Sequence, residues 1–180
     1  MGCDIHVRAS KLNKETNLYE ELILWRPGVE YHYAHNDATG EMEKIVDNPD
    51  FEKVYIYNGR NYEMFDGMKD GTEEDGYGNF PHFPIVLNSL EPAFRENIKE
   101  YMEATGFFDF WEISLAEMKL YLLEHPKVLD YYNCEEDEDV WKDNPIKDLF
   151  QDICNYINYA DKEWDWTPLS QYKIIIYFDW

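Results

Sequence analysis

The chain has 180 residues, and 16 Lys plus Arg set against 38 Asp plus Glu leave a formal charge of −22. A hydrophobic fraction of 44%, with fifteen Tyr, ten Phe and six Trp, is too rich for a disordered acidic tail, so the chain is expected to fold as one domain over residues 1–180. At this length about 70% of the unfolded surface can be buried without disulfides or a structural metal. The charge argues against nucleic acid or anionic membrane as direct partners, because the basic residues that would neutralise phosphates are scattered singly.

Residues 3–10 alternate, with Cys3, Ile5, Val7 and Ala9 on one side and Asp4, His6, Arg8 and Ser10 on the other, which predicts a half-buried strand. Met1-Gly2-Cys3 has His6 where N-myristoylation requires Ser or Thr, so it reads as the entry to that strand. A polar turn at 13–17 leads to a return strand over Tyr19 to Trp25, stopped by Arg26-Pro27-Gly28. Tyr31 to His35 runs into a turn at 36–40, Lys53 to Tyr57 is a short strand closed by Asn58-Gly59, and Asn61 to Lys69 is a short helix. Three glycines and four acids over 70–79 predict a mobile loop. Beyond it, Pro92 opens a helix whose face carries Phe94, Ile98, Tyr101 and Met102, and Gly106 closes it. Phe107 to Ile113 is an aromatic strand. Ser114-Leu115-Ala116-Glu117 is a capping box for a helix that Pro126 ends. Asn144 and Pro145 start a helix with an apolar stripe at Ile146, Leu149, Phe150, Ile153 and Ile157. Tyr172 to Phe178 is too continuously apolar for a one-faced strand and predicts a central one. The fold class that follows is α+β: an antiparallel sheet with an N-terminal hairpin and a central C-terminal strand, covered by about three to four helices.

Two constellations could carry chemistry. Asp4 and His6 stand two apart on a strand and share a face, so a carboxylate and an imidazole could converge on a divalent ion. Equally, they could hold each other in a structural polar face. The second constellation is acidic. Glu135-Glu136-Asp137-Glu138-Asp139 lies between Tyr131, Tyr132 and Trp141, and a further acidic patch from Glu63 to Asp75, including Glu73, Glu74 and Asp75, has Tyr62, Phe65 and Tyr77 about it. Charge runs commonly mark solvated loops, but carboxylates beside exposed rings also imitate a phosphate backbone with stacked bases. No nucleophile elbow, phosphate-cradling glycine loop or zinc-type Cys/His spacing is present. Three cysteines without framework spacing, no signal peptide and no span long enough for a bilayer fit a reducing cytosol.

The opening Met1-Gly2-Cys3-Asp4-Ile5-His6 resembles that of a widespread set of uncharacterised bacteriophage proteins beginning with the same six residues. Arg60-Asn61-Tyr62-Glu63-Met64-Phe65 and the segment Trp111 to Met118 are similar to two looser features of that set, in the same order. Many of its members carry a His-rich stretch before the Trp. This chain has Gly106-Phe107-Phe108-Asp109-Phe110 there, which weakens a metal role for Asp4 and His6. Size and acidity also resemble phage-encoded anti-CRISPR proteins, in particular inhibitors of type II effectors. The resemblance implies a protein of the host bacterial cytoplasm, without cofactor, that binds a host nucleic-acid-handling protein, foremost a type II CRISPR effector nuclease. It would block nucleic-acid binding or cleavage through Glu135 to Asp139 with Trp141, or through Glu73, Glu74 and Asp75. The alternative from another class is a metal-dependent phosphoesterase or nuclease in which Asp4 and His6 hold a divalent ion that activates water. A phage structural or accessory role is a third reading.

Overall fold

Alternation places Ile5, Val7 and Ala9 on one face of strand β1 (Asp4–Asn13) in the computed structural model, which describes residues 4–26, 30–36, 38–48, 52–105, 109–130, 133 and 139–179. Asn13 makes the turn: its Oδ1 accepts from the Glu15 and Thr16 amides at 2.8 and 3.3 Å, and Asn17 takes the left-handed φ of 57° that Asn tolerates. β2 (Leu18–Glu21) then returns antiparallel along β1. The expected return strand to Trp25 ends at Glu21; Trp25 pairs instead with Lys53.

The chain divides into two compact units, one of residues 1–22 and 56–180 and one of residues 23–55. Within the smaller unit, β3 (Trp25–Arg26), β4 (Glu30–His35), β5 (Met42–Asn48) and β6 (Glu52–Lys53) form nested antiparallel pairs, β4 with β5 and β3 with β6. β5 was not expected, and the strand expected over Lys53 to Tyr57 contracts to β6.

In the larger unit β7 (Asn58–Gly59) pairs with β1 at Ile5 and His6. Asn61 caps α1 (Tyr62–Asp70) by accepting from the Met64 amide at 3.0 Å, the local bond that lets a helix begin there. An irregular stretch leads to β8 (Phe83–Pro84), and Glu91 caps α2 (Pro92–Thr105) by accepting from the Ala93 and Phe94 amides at 3.0 Å. β9 (Phe110–Ser114) runs directly into α3 (Leu115–Glu124) through the predicted capping box, with bonds of 3.1 and 2.9 Å in the two directions. Residues 107 and 108 of the expected aromatic strand lie outside the described residues. β10 (Lys127–Leu129) and β11 (Trp141–Asp143) pair, Asn144 Oδ1 accepts from the Ile146 amide at the start of α4 (Ile146–Ala160), and β12 (Tyr172–Asp179) closes the chain.

The main sheet has the order β2-β1-β12-β9-β8, antiparallel throughout, so β12 is central and the class is α+β as the sequence predicts. One face carries Ile5, Val7, Ala9, Ile174, Ile176 and Phe178, with Phe65 of α1 against Phe178 (4.5 Å between ring centroids) and α3 packed on β12. The other face is covered by α2 and the residues that precede it, where Leu90, Phe94 and Ile98 pack with Ile175 and Tyr177. Each such apolar side chain contributes roughly 1.5–3 kcal/mol when fully buried. The predicted polar face of β1 is therefore covered: Arg8 and Ser10 are buried. No helix among the described residues is long and apolar enough to cross a membrane.

Candidate functional site

Helix α1 presents Tyr62, Asp66 and Asp70 at i, i+4 and i+8, which lie on one face. Its opposite side is apolar and buried through Met64, Phe65 and Met68. Between the two stands Gly67, where an added Cβ would collide with the Tyr77 ring, so the missing side chain is what lets that ring lie flat on the helix. Tyr77 arrives from the loop after α1, and the loop's own acid shapes it. Asp75 accepts from the Thr72 and Tyr77 amides at 2.9 Å each, and Gly78 N donates to Thr72 O at 2.7 Å. Tyr121 Oη donates to Tyr77 O at 2.8 Å. The segment expected to be a mobile loop is thus irregular but hydrogen-bonded in place, since glycines and an Asx turn satisfy backbone groups that a helix or strand would otherwise satisfy.

This loop meets the β10–β11 pair. Leu129 N, on β10, donates to Asp75 O at 2.8 Å, and Gly76, at φ 83°, leaves room for Trp141 of β11, whose Cζ3 would stand 2.7 Å from a Cβ there. Lys142 Nζ donates to Glu63 Oε2 at 2.7 Å and to Asp130 at 3.5 Å. Burial alone would lower the Lys142 pKa, but these two carboxylates override it and raise it. Asp139, Glu73 and Glu74 are exposed, and Asp75 is half-buried beneath them in the loop. Glu135, Glu136, Asp137 and Glu138, with Tyr131 and Tyr132, lie outside the described residues.

The rings divide differently from the sequence expectation. Tyr62 and Trp141 are 47% and 48% exposed, whereas Phe65 and Tyr77 are each 3% exposed and belong to the core. Two of the three rings expected about the Glu63 to Asp75 patch are therefore not displayed, because helix periodicity turns Phe65 inward and the Gly67 notch captures Tyr77.

Tyr62, Asp66, Asp70 and Asp75 rim a cleft of about 230 Å³ floored by Glu63, Gly67 and Tyr77. Sequence reading placed these acids in a charged patch and named Asp66 only as a possible further metal ligand, without pairing it with Asp70, although the spacing of four from Tyr62 to Asp66 and on to Asp70 was the signal available. A helix-interior Gly→Ala change ordinarily gains roughly 0.5–1 kcal/mol. At Gly67 the sign is expected to invert: Gly67→Ala should lose about 1–3 kcal/mol in urea denaturation, because the added methyl displaces Tyr77. A stabilised variant would show that Tyr77 does not depend on the notch.

Asp4 and His6 share a face of β1, as alternation predicts, at the end where β7 pairs. Asp4 accepts from Arg60 Nε at 2.6 Å. His6 stacks on Tyr177 at 4.9 Å, and Tyr177 stacks on Phe110 at 5.0 Å, so a ring row crosses three strands. Among the described residues no group of three or more His, Cys, Asp or Glu is placed to hold a metal ion.

No protein-family model, curated protein or solved structure matches this chain.

Proposed function

We propose that the chain is an acidic binding protein that docks on the basic nucleic-acid-binding surface of a host nuclease and blocks it, with a type II CRISPR effector as the foremost target. The observation that carries this reading is the bond from Leu129 N to Asp75 O, which brings the β10–β11 pair beside the Glu63 to Asp75 patch with Tyr62 and Trp141 exposed. Effectors of that class hold guide and target in positively charged channels and read a short duplex motif with arginines. A carboxylate face speeds encounter with such a channel by long-range attraction, and exposed rings lengthen residence once docked. The choice of a CRISPR effector comes from the likeness to phage proteins, since charge by itself does not select one basic partner.

Binding to a purified type II effector, with and without its guide RNA, is expected to weaken steeply as salt rises, because the Debye length shrinks from about 10 Å at 0.1 M to about 3 Å at 1 M. Glu73→Gln with Glu74→Gln, and separately the five-residue neutralisation of Glu135 to Asp139, should each reduce low-salt affinity by about tenfold or more and flatten the salt dependence. Asp75 is left intact because it holds the loop. Equal affinity of the wild type and both variants at low and high salt overturns the reading. Metal analysis of the purified protein weighs it against the hydrolase alternative: a stoichiometric divalent ion, lost in Asp4→Ala, would move the assignment to Asp4 and His6.

A further inference from the structure

We infer that α3 is a self-association surface, on which two copies of this chain pair their α3 helices side by side and parallel into a two-fold dimer. The inference goes beyond the docking reading and does not depend on it.

Helix α3 is apolar on more sides than the fold covers. Leu115, Met118 and Tyr121 are buried in the core, yet Leu120 and Leu123 point away from it at 57% and 71% exposure, the two highest values among the described Leu, Ile and Val residues. A helix that is apolar all round is ordinarily buried all round. Ala116, Leu120 and Leu123 are spaced four and then three apart, the repeat that makes a continuous seam between two helices. On the α4 side this seam meets no acid. The Lys119 charge acts on the Cys154 thiol of α4, and Gln151 and Asn158, one turn either side of Cys154, are uncharged. In a chain of charge −22 that is what lets a second, equally acidic copy approach here.

The charges that border the seam select the occupant. Lys119 and Glu124 are exposed and five positions apart, about 140° around the helix, so they stand on opposite sides of the leucines and cannot meet on their own helix. Neither has an ion-pair partner among the described residues. Glu124 also ends α3, at the negative end of the helix dipole, with no basic residue in the last turn. In a parallel pair about a two-fold axis running along the helices, Lys119 of each copy lies beside Glu124 of the other, while Leu120 and Leu123 meet their own counterparts. Both charges then gain a partner, twice over. An antiparallel pair turns each border against itself, which sets Glu117 and Glu124 of one copy against the same acids of the other, and like charges so placed repel. Ten residues of helix are about 15 Å long, so the contact falls below the roughly 1,200 Å² of stable interfaces and makes a weak dimer.

Sedimentation equilibrium of the full chain, from about 20 µM to about 1 mM, reads the dimer directly, and association half complete on the order of 100 µM is expected for a contact of this size. Each copy carries −22, so raising salt from about 0.1 M to about 1 M removes long-range repulsion and should tighten the dimer about tenfold, opposite in sign to effector binding. Leu120→Gln with Leu123→Gln should leave the chain monomeric at every concentration with its denaturation midpoint unchanged, because both side chains already face solvent. At the lower salt, Lys119→Glu and Glu124→Lys should each weaken association about tenfold, the second although it makes the chain less negative, and the double variant should regain wild-type affinity. A chain that is monomeric at the highest concentration, or a dimer that survives the leucine variant, overturns the inference. A dimer lost in the leucine variant but not recovered by the double charge exchange overturns the parallel pairing. The two readings fail separately: a dimer that behaves as stated while no effector binds leaves only the proposed function overturned.

Discussion

Replacing Glu21 by Gln is expected to destabilise the fold by about 3–5 kcal/mol, measured by urea denaturation at neutral pH, because it leaves Arg8 buried without a counter-charge. Arg8 is 8% exposed and sits beneath α2, 4.9 Å from the centre of the Phe94 ring. Its Nε and Nη2 donate to the two Glu21 oxygens at 2.7 Å each, a bidentate pair across the β1–β2 hairpin, and Nη1 donates to Asn97 of α2. Burial alone would lower the Arg8 pKa, yet Glu21 raises it, so the cation stays charged inside the fold. Gln retains one acceptor oxygen and loses the charge. The matched control is the double variant Arg8→Met with Glu21→Leu, which should lie close to wild type, because replacing a buried ion pair by apolar groups of similar volume is often neutral or stabilising. A loss under about 1 kcal/mol for Glu21→Gln would mean that the pair is effectively solvated.

The second large effect concerns acid. Asp161, 9% exposed, accepts from Tyr172 Oη at 2.7 Å, from the Glu163 amide at 3.0 Å and from Lys11 Nζ at 3.2 Å. Burial on its own would raise its pKa, but these donors together hold it below the ordinary carboxylate range. A carboxylate depressed in the folded state contributes stability that is present above its unfolded value of about 3.9 and is lost as pH falls through the lower folded value. Asp161→Asn should therefore cost about 2 kcal/mol at pH 7, in line with hydrogen bonds to a charged group, and the gap to wild type should close on acidification below the unfolded value, where the native side chain is itself neutral. Denaturation midpoints of both proteins across that range decide the matter. A gap that persists unchanged into acid would assign the loss to shape instead of charge.

The legible parts of this fold were those whose cause is local. The alternation of β1, the Ser114–Glu117 box, the Asn144 cap and the continuous apolar run of β12 each depend on residues within a few positions, and each stands where the pattern put it. Failures came where a distant segment decided. The return strand stops at Glu21, and Trp25, expected to continue it, pairs with the distant Lys53. Tyr77, in a stretch whose composition is that of a solvated loop, is core because Gly67 offers a notch. Arg8, on the polar side of an amphipathic strand, is buried because α2 covers that side.

The candidate site shows the same division. Its charge and its rings could be counted in the chain, and Tyr62, Asp66 and Asp70 share a helix face by spacing alone. That Glu63 and Lys142 would meet, or that Asp75 and Leu129 would bond, follows from no local pattern, since such pairs join only after α1, its loop and the β10–β11 pair have packed. Amino-acid order alone determined the α+β class, the central strand and the excess of negative charge, because periodicity and composition act within a segment. Which carboxylates stand together, and which rings remain in solvent beside them, was decided only by the tertiary structure, because proximity across the chain is set by the shape of the packed core.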